Sequence, residues 1–174
     1  MRDYFFDTSA LQQRYVRSQG SRRIRRIISD HRNRCYISEW TVLEIASALG
    51  KRCRGAQLDI SDFDSMNQEF FRDVAKGRLV VRPVTSREIR RARDLLRFAG
   101  IVKRKSLSSG DALVATSCLY LAYELKTRVP FYLSDRGLFN LLGYVNAFAA
   151  AVDLRFAEVG TQQAVPNVPD RRRV

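Results

Sequence analysis

Residues 2–11, RDYFFDTSAL, pass from three consecutive aromatic residues to a carboxylate and two hydroxyls. Tyr4, Phe5 and Phe6 favour a short buried strand, and Thr8 to about Arg17 reads as the helix that follows it. Asp7 stands at the junction. Asp before Thr8 and Ser9 suits a helix N-cap, whose side chain accepts from the exposed amides of the first turn. The same position also suits a ligand delivered by the end of a buried strand. Which role applies depends on what the rest of the chain brings to that point.

Other segments repeat the pattern. SRRIRRIISD (21–30) puts Ile24, Ile27 and Ile28 on one face and Arg22, Arg25 and Arg26 largely opposite, an amphipathic helix with a basic surface. CYIS (35–38) reads as a strand leading into a helix over 39–54, and 58–76 as a more acidic helix ended by Gly77. LVVRPV (79–84) is a strand broken at Pro83, and SREIRRARDLLRFAG gives a second basic helix with Gly100 as its stop. Residues 110–126 form a strongly apolar helix, PFYLSD (130–135) a strand ending on Asp135, and a helix then runs to about Ala150. DLRFAEV (153–159) is a final strand, and residues 160–174, with Arg171, Arg172 and Arg173, a flexible basic tail. Strands alternating with helices predict an α/β fold, a three-layer α/β/α sandwich around a parallel sheet. The predicted domain spans 1–159, with 56–77 as a helical insertion. Ligands of such sheets gather beyond the carboxyl ends of the strands, where Asp7 and Asp135 stand.

The chain has 174 residues and carries 31 Lys and Arg against 18 Asp and Glu, a net charge of +13. That excess favours polyanions, because each neutralised phosphate releases counterions. An anionic membrane surface or an acidic protein would also suit it, although no lipidation signal supports the membrane. No apolar run is long enough to span a bilayer, and Met1-Arg2-Asp3 lacks the layout of a secretory signal, which predicts a cytoplasmic protein. Cys35, Cys53 and Cys118 show no C-x-x-C spacing and predict free thiols. His31 lies in a polar stretch and reads as a surface residue, which leaves histidine-based catalysis without material.

Two further carboxylates stand out. Glu44 sits in WTVLEIASALG, where Val42, Leu43, Ile45, Ala46 and Leu49 leave no polar face, so the helix is expected to be buried. A carboxylate there is costly unless it is paired or metal-bound. Asp111 opens the apolar helix SSGDALVATSCLYLAYEL, where the helix dipole also favours a negative charge. Asp7, Glu44, Asp111 and Asp135 mark elements that converge on one sheet edge. Like charges brought together there call for a cation, and all-oxygen ligation suits Mg2+ or Mn2+. A haloacid-dehalogenase-like site is a third reading, disfavoured by Ser9, which occupies the position of the second Asp that such sites require.

FFDTSAL, the LEIASAL around Glu44, GDALVATSC and YLSDRGLF resemble, in order and spacing, the four acidic motifs of PIN-domain ribonucleases. The nearest likeness is to VapC-type toxins of type II toxin–antitoxin systems, over about residues 3–159. This resemblance implies a PIN-like fold and an Mg2+- or Mn2+-dependent endoribonuclease. It implies Asp7, Glu44 and Asp111 as metal ligands, Asp135 as the fourth acid, and Ser9 and Ser134 as supporting hydroxyls. Many members carry Thr two residues before the fourth acid, where this chain has Leu133. Arg90, Arg91, Lys103, Arg104 and Lys105 are the expected RNA contacts, and an antitoxin protein and a homodimer the expected partners. The alternative is a PIN-like module that binds RNA or protein without cutting.

Overall fold

The computed structural model describes residues 1–16, 18, 20–102 and 106–134, together with 138, 140, 143, 145, 148, 160 and 161. The elements in chain order are β1 (Arg2–Phe6), α1 (Thr8–Tyr15), α2 (Ser21–Ser29), β2 (Asn33–Ser38), α3 (Glu39–Arg54), α4 (Ile60–Ala75), β3 (Val80–Arg82), α5 (Ser86–Arg97), α6 (Ser109–Leu125), β4 (Pro130–Tyr132) and β5 (Gly160–Thr161). The five strands form one sheet in the order β3-β2-β1-β4-β5, with every pairing parallel. The chain works outward from β1 to β3, returns to place β4 on the other side of β1, and continues outward to β5. The reversal falls between β1 and β4, and crevices for ligands open at such reversals beyond the strands' carboxyl ends.

Alternation along the central strands explains the layers. Tyr4 and Phe6 of β1, Cys35 and Ile37 of β2 and Tyr132 of β4 pack with Ala10, Leu11, Ile24, Ile28, Ile45 and Leu49 from α1, α2 and α3. Phe5, Tyr36 and Phe131 face the other way and pack with Ala92 and Leu95 of α5 and the buried run of α6. Successive side chains of a strand point to opposite faces, so a strand buried on both sides reads as a continuous apolar run. The register sets Phe5 opposite Phe131 and Phe6 opposite Tyr132. Their rings meet edge-on at 5.8 Å and stacked at 5.3 Å, which adds to the area each buries. This is the predicted α/β/α sandwich.

Helix starts follow the sequence closely because caps are local chemistry. Asp7, Ser38, Asp59, Thr85 and Ser108 each cap a helix, and Asp59 and Thr85 complete capping boxes with Asp62 and Glu88. Gly77 adopts φ of 67°, which ends α4 as expected. Gly100 is not a stop. The chain continues past Arg97 in a π-helical turn, Phe98–Val102, because Phe98 and Ala99 pack inward there. The expected strand 153–159, and most of the tail, lie outside the described residues; β5 is Gly160–Thr161. Leu138, Val145 and Phe148, in the helix expected to reach Ala150, are buried in the core.

α4 falls within the segment expected to be an insertion, yet it is tied to the body by a buried ion pair. Asp73 of α4 is 1% exposed and accepts from Arg14 of α1 through Nε at 2.9 Å and a second guanidinium nitrogen at 3.2 Å. Arg78 adds a bond at 3.0 Å and the Tyr15 hydroxyl another at 3.3 Å. Burial by itself would raise the Asp73 carboxyl, but the two guanidiniums outweigh it and hold it below the ordinary range. Removing one member leaves a buried charge short of its partners. Arg14→Leu is therefore expected to lower the free energy of unfolding by about 3 kcal/mol. Urea titration checks this, and the loss should shrink as pH falls through the depressed Asp73 value, since protonated Asp73 no longer needs Arg14.

Candidate functional site

β1 ends at the sheet reversal, and the next residue is Asp7. Its amide donates to the Tyr132 carbonyl at 2.9 Å, continuing the pairing with β4 by one residue. The residue is 4% exposed. Oδ2 accepts from the Ser9 amide at 2.9 Å and from the Ser9 hydroxyl at 2.5 Å. Ser9 Oγ in turn accepts from the Ser134 amide at 2.8 Å, and the Ser134 hydroxyl accepts from Gln13 Nε2. Gln13 lies over Gly20, where an added Cβ would fall 1.6 Å from its Oε1. A chain of hydrogen bonds thus locks the ends of β1 and β4 together. Asp7 is both the cap of α1 and the acid at the strand end.

Glu44 reaches the same place from α3. The Thr8 hydroxyl donates to its Oε2 at 2.5 Å, and Oε1 fills the space that a side chain at Gly110, at the start of α6, would take. A Cβ at residue 110 would lie 2.5 Å from Oε1 and 2.9 Å from Nε1 of Trp40, so a side chain there would push the ends of Glu44 and Trp40 aside. Asp111 follows at once. Its Oδ2 accepts from the Ser108 hydroxyl at 2.7 Å while Ser108 caps its amide. The sequence predicted Asp7, Ser9, Glu44 and Asp111 here. It missed Thr8, Gly110 and Ser108, each an immediate or helical neighbour of a predicted acid, and Gln13, one helical turn after Ser9.

One expectation is corrected. α3 is not buried all round: only Thr41, Ile45 and Leu49 are fully buried, Leu43 is 64% exposed and Trp40 37% exposed. Glu44 is half-buried, so its significance rests on its neighbours and not on an apolar helix closing over it. Asp111 does open a central helix, buried from Val114 to Ala122. Asp135, Lys103, Arg104 and Lys105 lie outside the described residues. Arg90 is exposed on α5, whereas Arg91 is half-buried and pairs with Asp94 at 3.5 Å. His31 is exposed, and Cys35, Cys53 and Cys118 are free thiols.

Electrostatics separate Asp7 from another deeply buried carboxylate, Asp73. Asp73 has two guanidiniums and is pushed down. Burial pushes Asp7 up to about 6, with Glu44 and Asp111 adding to the rise and the two bonds from Ser9 opposing it. Among the described residues no Lys or Arg forms an ion pair with Asp7, Glu44 or Asp111. Two acids act on a buried third with no cation between them, an arrangement typical of functional sites. The donors are hard oxygens, which fit Mg2+ or Mn2+ in kind. In spacing they do not form a closed ligand set: among the described residues no group of three or more His, Cys, Asp or Glu could hold a metal ion. Each acid instead takes a hydroxyl of its own, from Ser9, Thr8 or Ser108. An open cavity of about 720 Å³ between Cys53 and Asp62 includes none of the acids.

No protein-family model matches the chain, and no curated protein matches its sequence. Among the described residues no helix is long and apolar enough to cross a membrane.

The folded chain holds the Asp7 proton more tightly than the unfolded chain, so ionising Asp7 costs stability. The gap between the ordinary 3.8 and about 6 corresponds to roughly 3 kcal/mol. Asp7→Asn keeps a good capping residue and removes that cost. It is expected to raise the free energy of unfolding by about 1–3 kcal/mol at pH 8, a gain that fades below about pH 4. Urea titrations at the two pH values measure it.

Proposed function

We propose that the chain is a metal-dependent endoribonuclease of PIN-like type, acting in the cytoplasm as the toxin of a toxin–antitoxin pair. The observation that carries this reading is the buried Asp7 at the sheet reversal, pushed up by burial and by Glu44 and Asp111 with no cation partner among the described residues. Strand ends and helix starts supply oxygen donors there, and the +13 charge suits a polyanionic substrate.

Asp7, Glu44 and Asp111 would hold Mg2+ or Mn2+, with Asp135 as the fourth acid. A bound ion supplies Lewis-acid activation of water and neutralises charge on the phosphodiester. Ser9 fixes the Asp7 carboxylate and the strand end beneath it. Thr8 and Gly110 set where the Glu44 carboxylate lies, Thr8 by donating to it and Gly110 by leaving room. Arg90, exposed on α5, would meet the phosphate backbone, as would Lys103, Arg104 and Lys105. An antitoxin that silences this site, and a homodimer, complete the proposal.

A PIN-like module that binds without cutting is the competing reading, favoured by the hydroxyl that each acid already has. Cleavage assays decide between them. Asp7→Asn and Glu44→Gln are expected to abolish EDTA-sensitive cleavage of single-stranded RNA while remaining folded by circular dichroism. Wild-type cleavage by either variant would remove the site from the reaction. Gly110→Ala, which displaces Glu44 without touching a ligand, is expected to lower the rate about ten- to a hundred-fold.

A further inference from the structure

α2 carries four arginines among its nine residues and no acid. Ile24 and Ile28 are buried in the core, while Arg22, Arg23, Arg25 and Arg26 are all exposed. Two of the four are held at the flanks. Arg23 donates to the Tyr132 hydroxyl at 3.2 Å with its guanidinium 5.4 Å from the centre of that ring, and Arg25 Nε donates to the Arg14 carbonyl at 2.9 Å. Arg22 and Arg26 stand one turn apart between them, and among the described residues neither forms an ion pair. Asp30, the acid that follows the helix, is taken by Arg32 through both oxygens. Like charges three and four residues apart destabilise a helix, and a bound anion would relieve that cost.

Described residues lead from the acid site to this face. Ser9, whose hydroxyl holds Asp7, lines a narrow cleft with Gln12, Gln13, Val16, Ser18 and Arg52. Positions 9, 12, 13 and 16 share one side of α1. The cleft, about 10 Å³, is too small for a nucleotide, but it places Arg52 of α3 against this side of α1. Arg52 likewise forms no ion pair among the described residues. At the far end the Ser18 amide donates to the Ser21 hydroxyl at 2.7 Å, and Arg22 comes next.

We propose that Arg52 and the arginine face of α2 form a track for the sugar–phosphate backbone of a single-stranded RNA whose reacting phosphate lies at Asp7, Glu44 and Asp111. Guanidinium groups bond phosphate oxygens as a fork, and such contacts position a strand without reading its bases. A membrane surface does not suit α2, because its apolar side is buried in the core and none is left to enter a bilayer. An acidic protein on the same path would bring carboxylates up to three acids that repel them. The choice of RNA therefore rests on the nuclease reading, in which those acids handle a phosphate.

The test uses Asp7→Asn protein with Mg2+, in which no cleavage is expected, and anisotropy of dye-labelled oligouridine at several salt concentrations. The double variant Arg22→Gln, Arg26→Gln is expected to weaken binding about ten-fold and to reduce the slope of log affinity against log salt by about 1.4, as for two lost phosphate contacts. Arg52→Gln should reduce the slope by about 0.7. Arg22→Lys with Arg26→Lys keeps both charges and should keep the slope. Arg72→Gln with Lys76→Gln removes two exposed charges from α4 and should weaken binding less than about three-fold, since distant charges are screened. An unchanged slope in the α2 glutamine variant, or a loss no larger than in the α4 variant, overturns the proposal. Tighter binding of an oligoglutamate than of oligouridine, lost in the α2 variant, overturns it in favour of an acidic protein. If oligouridine binds as described while the unsubstituted chain with Mn2+ cuts no RNA, the track stands and the nuclease reading fails.

Discussion

β1 is hydrogen-bonded on both edges and covered on both faces, and the rest of the structure is arranged around that constraint. Tyr4 and Phe6 set one helical layer and Phe5 the other. The sheet reversal lies beside β1 because β2 and β4 take its two edges. A strand so enclosed must end where its last residue is still out of water, and its next residue is Asp7. Burial of that carboxylate is thus a consequence of the strand's central place in the sheet. Its unusual proton affinity follows from the burial first and from Glu44 and Asp111 second.

The contrast between Asp7 and Asp73 shows how context assigns roles to the same side chain. Both are almost fully enclosed. Asp73 meets Arg14 and Arg78 and becomes a rivet between α1 and α4. Asp7 meets Ser9 and two other acids and is left with a cost that the fold must carry elsewhere. Nothing local distinguishes FRDVA from FFDTS strongly enough to foretell this. The difference lies in which helices arrive opposite each acid.

Much of the site was nonetheless legible. DTS announces a capped helix after an aromatic run, and GDAL opens a central helix with an acid in its first turn, both because capping and periodicity act over a few residues. The Glu44 helix was misjudged for the complementary reason. Its composition is apolar all round, but α1, α4, α6 and β2, which pack against it, leave Trp40 and Leu43 outside. The glycine before Asp111 looked like a helix start and proved to be the point where α6 meets the Trp40 and Glu44 side chains of α3. Gly100 looked like a stop and was overridden by the packing of Phe98 and Ala99.

The sequence by itself determined the strands, the helices, their caps and the alternation that makes a parallel sheet covered on both faces. These depend on interactions between residues close along the chain and on side-chain periods that any solution of the fold must respect. Only the tertiary structure decided that Thr8 would hold Glu44 and that Gly110 would make room for it. It also decided that Asp73 would be neutralised and Asp7 would not. Those outcomes depend on which surfaces meet across the sheet, and the distance between residues 8, 44 and 110 along the chain carries no record of it.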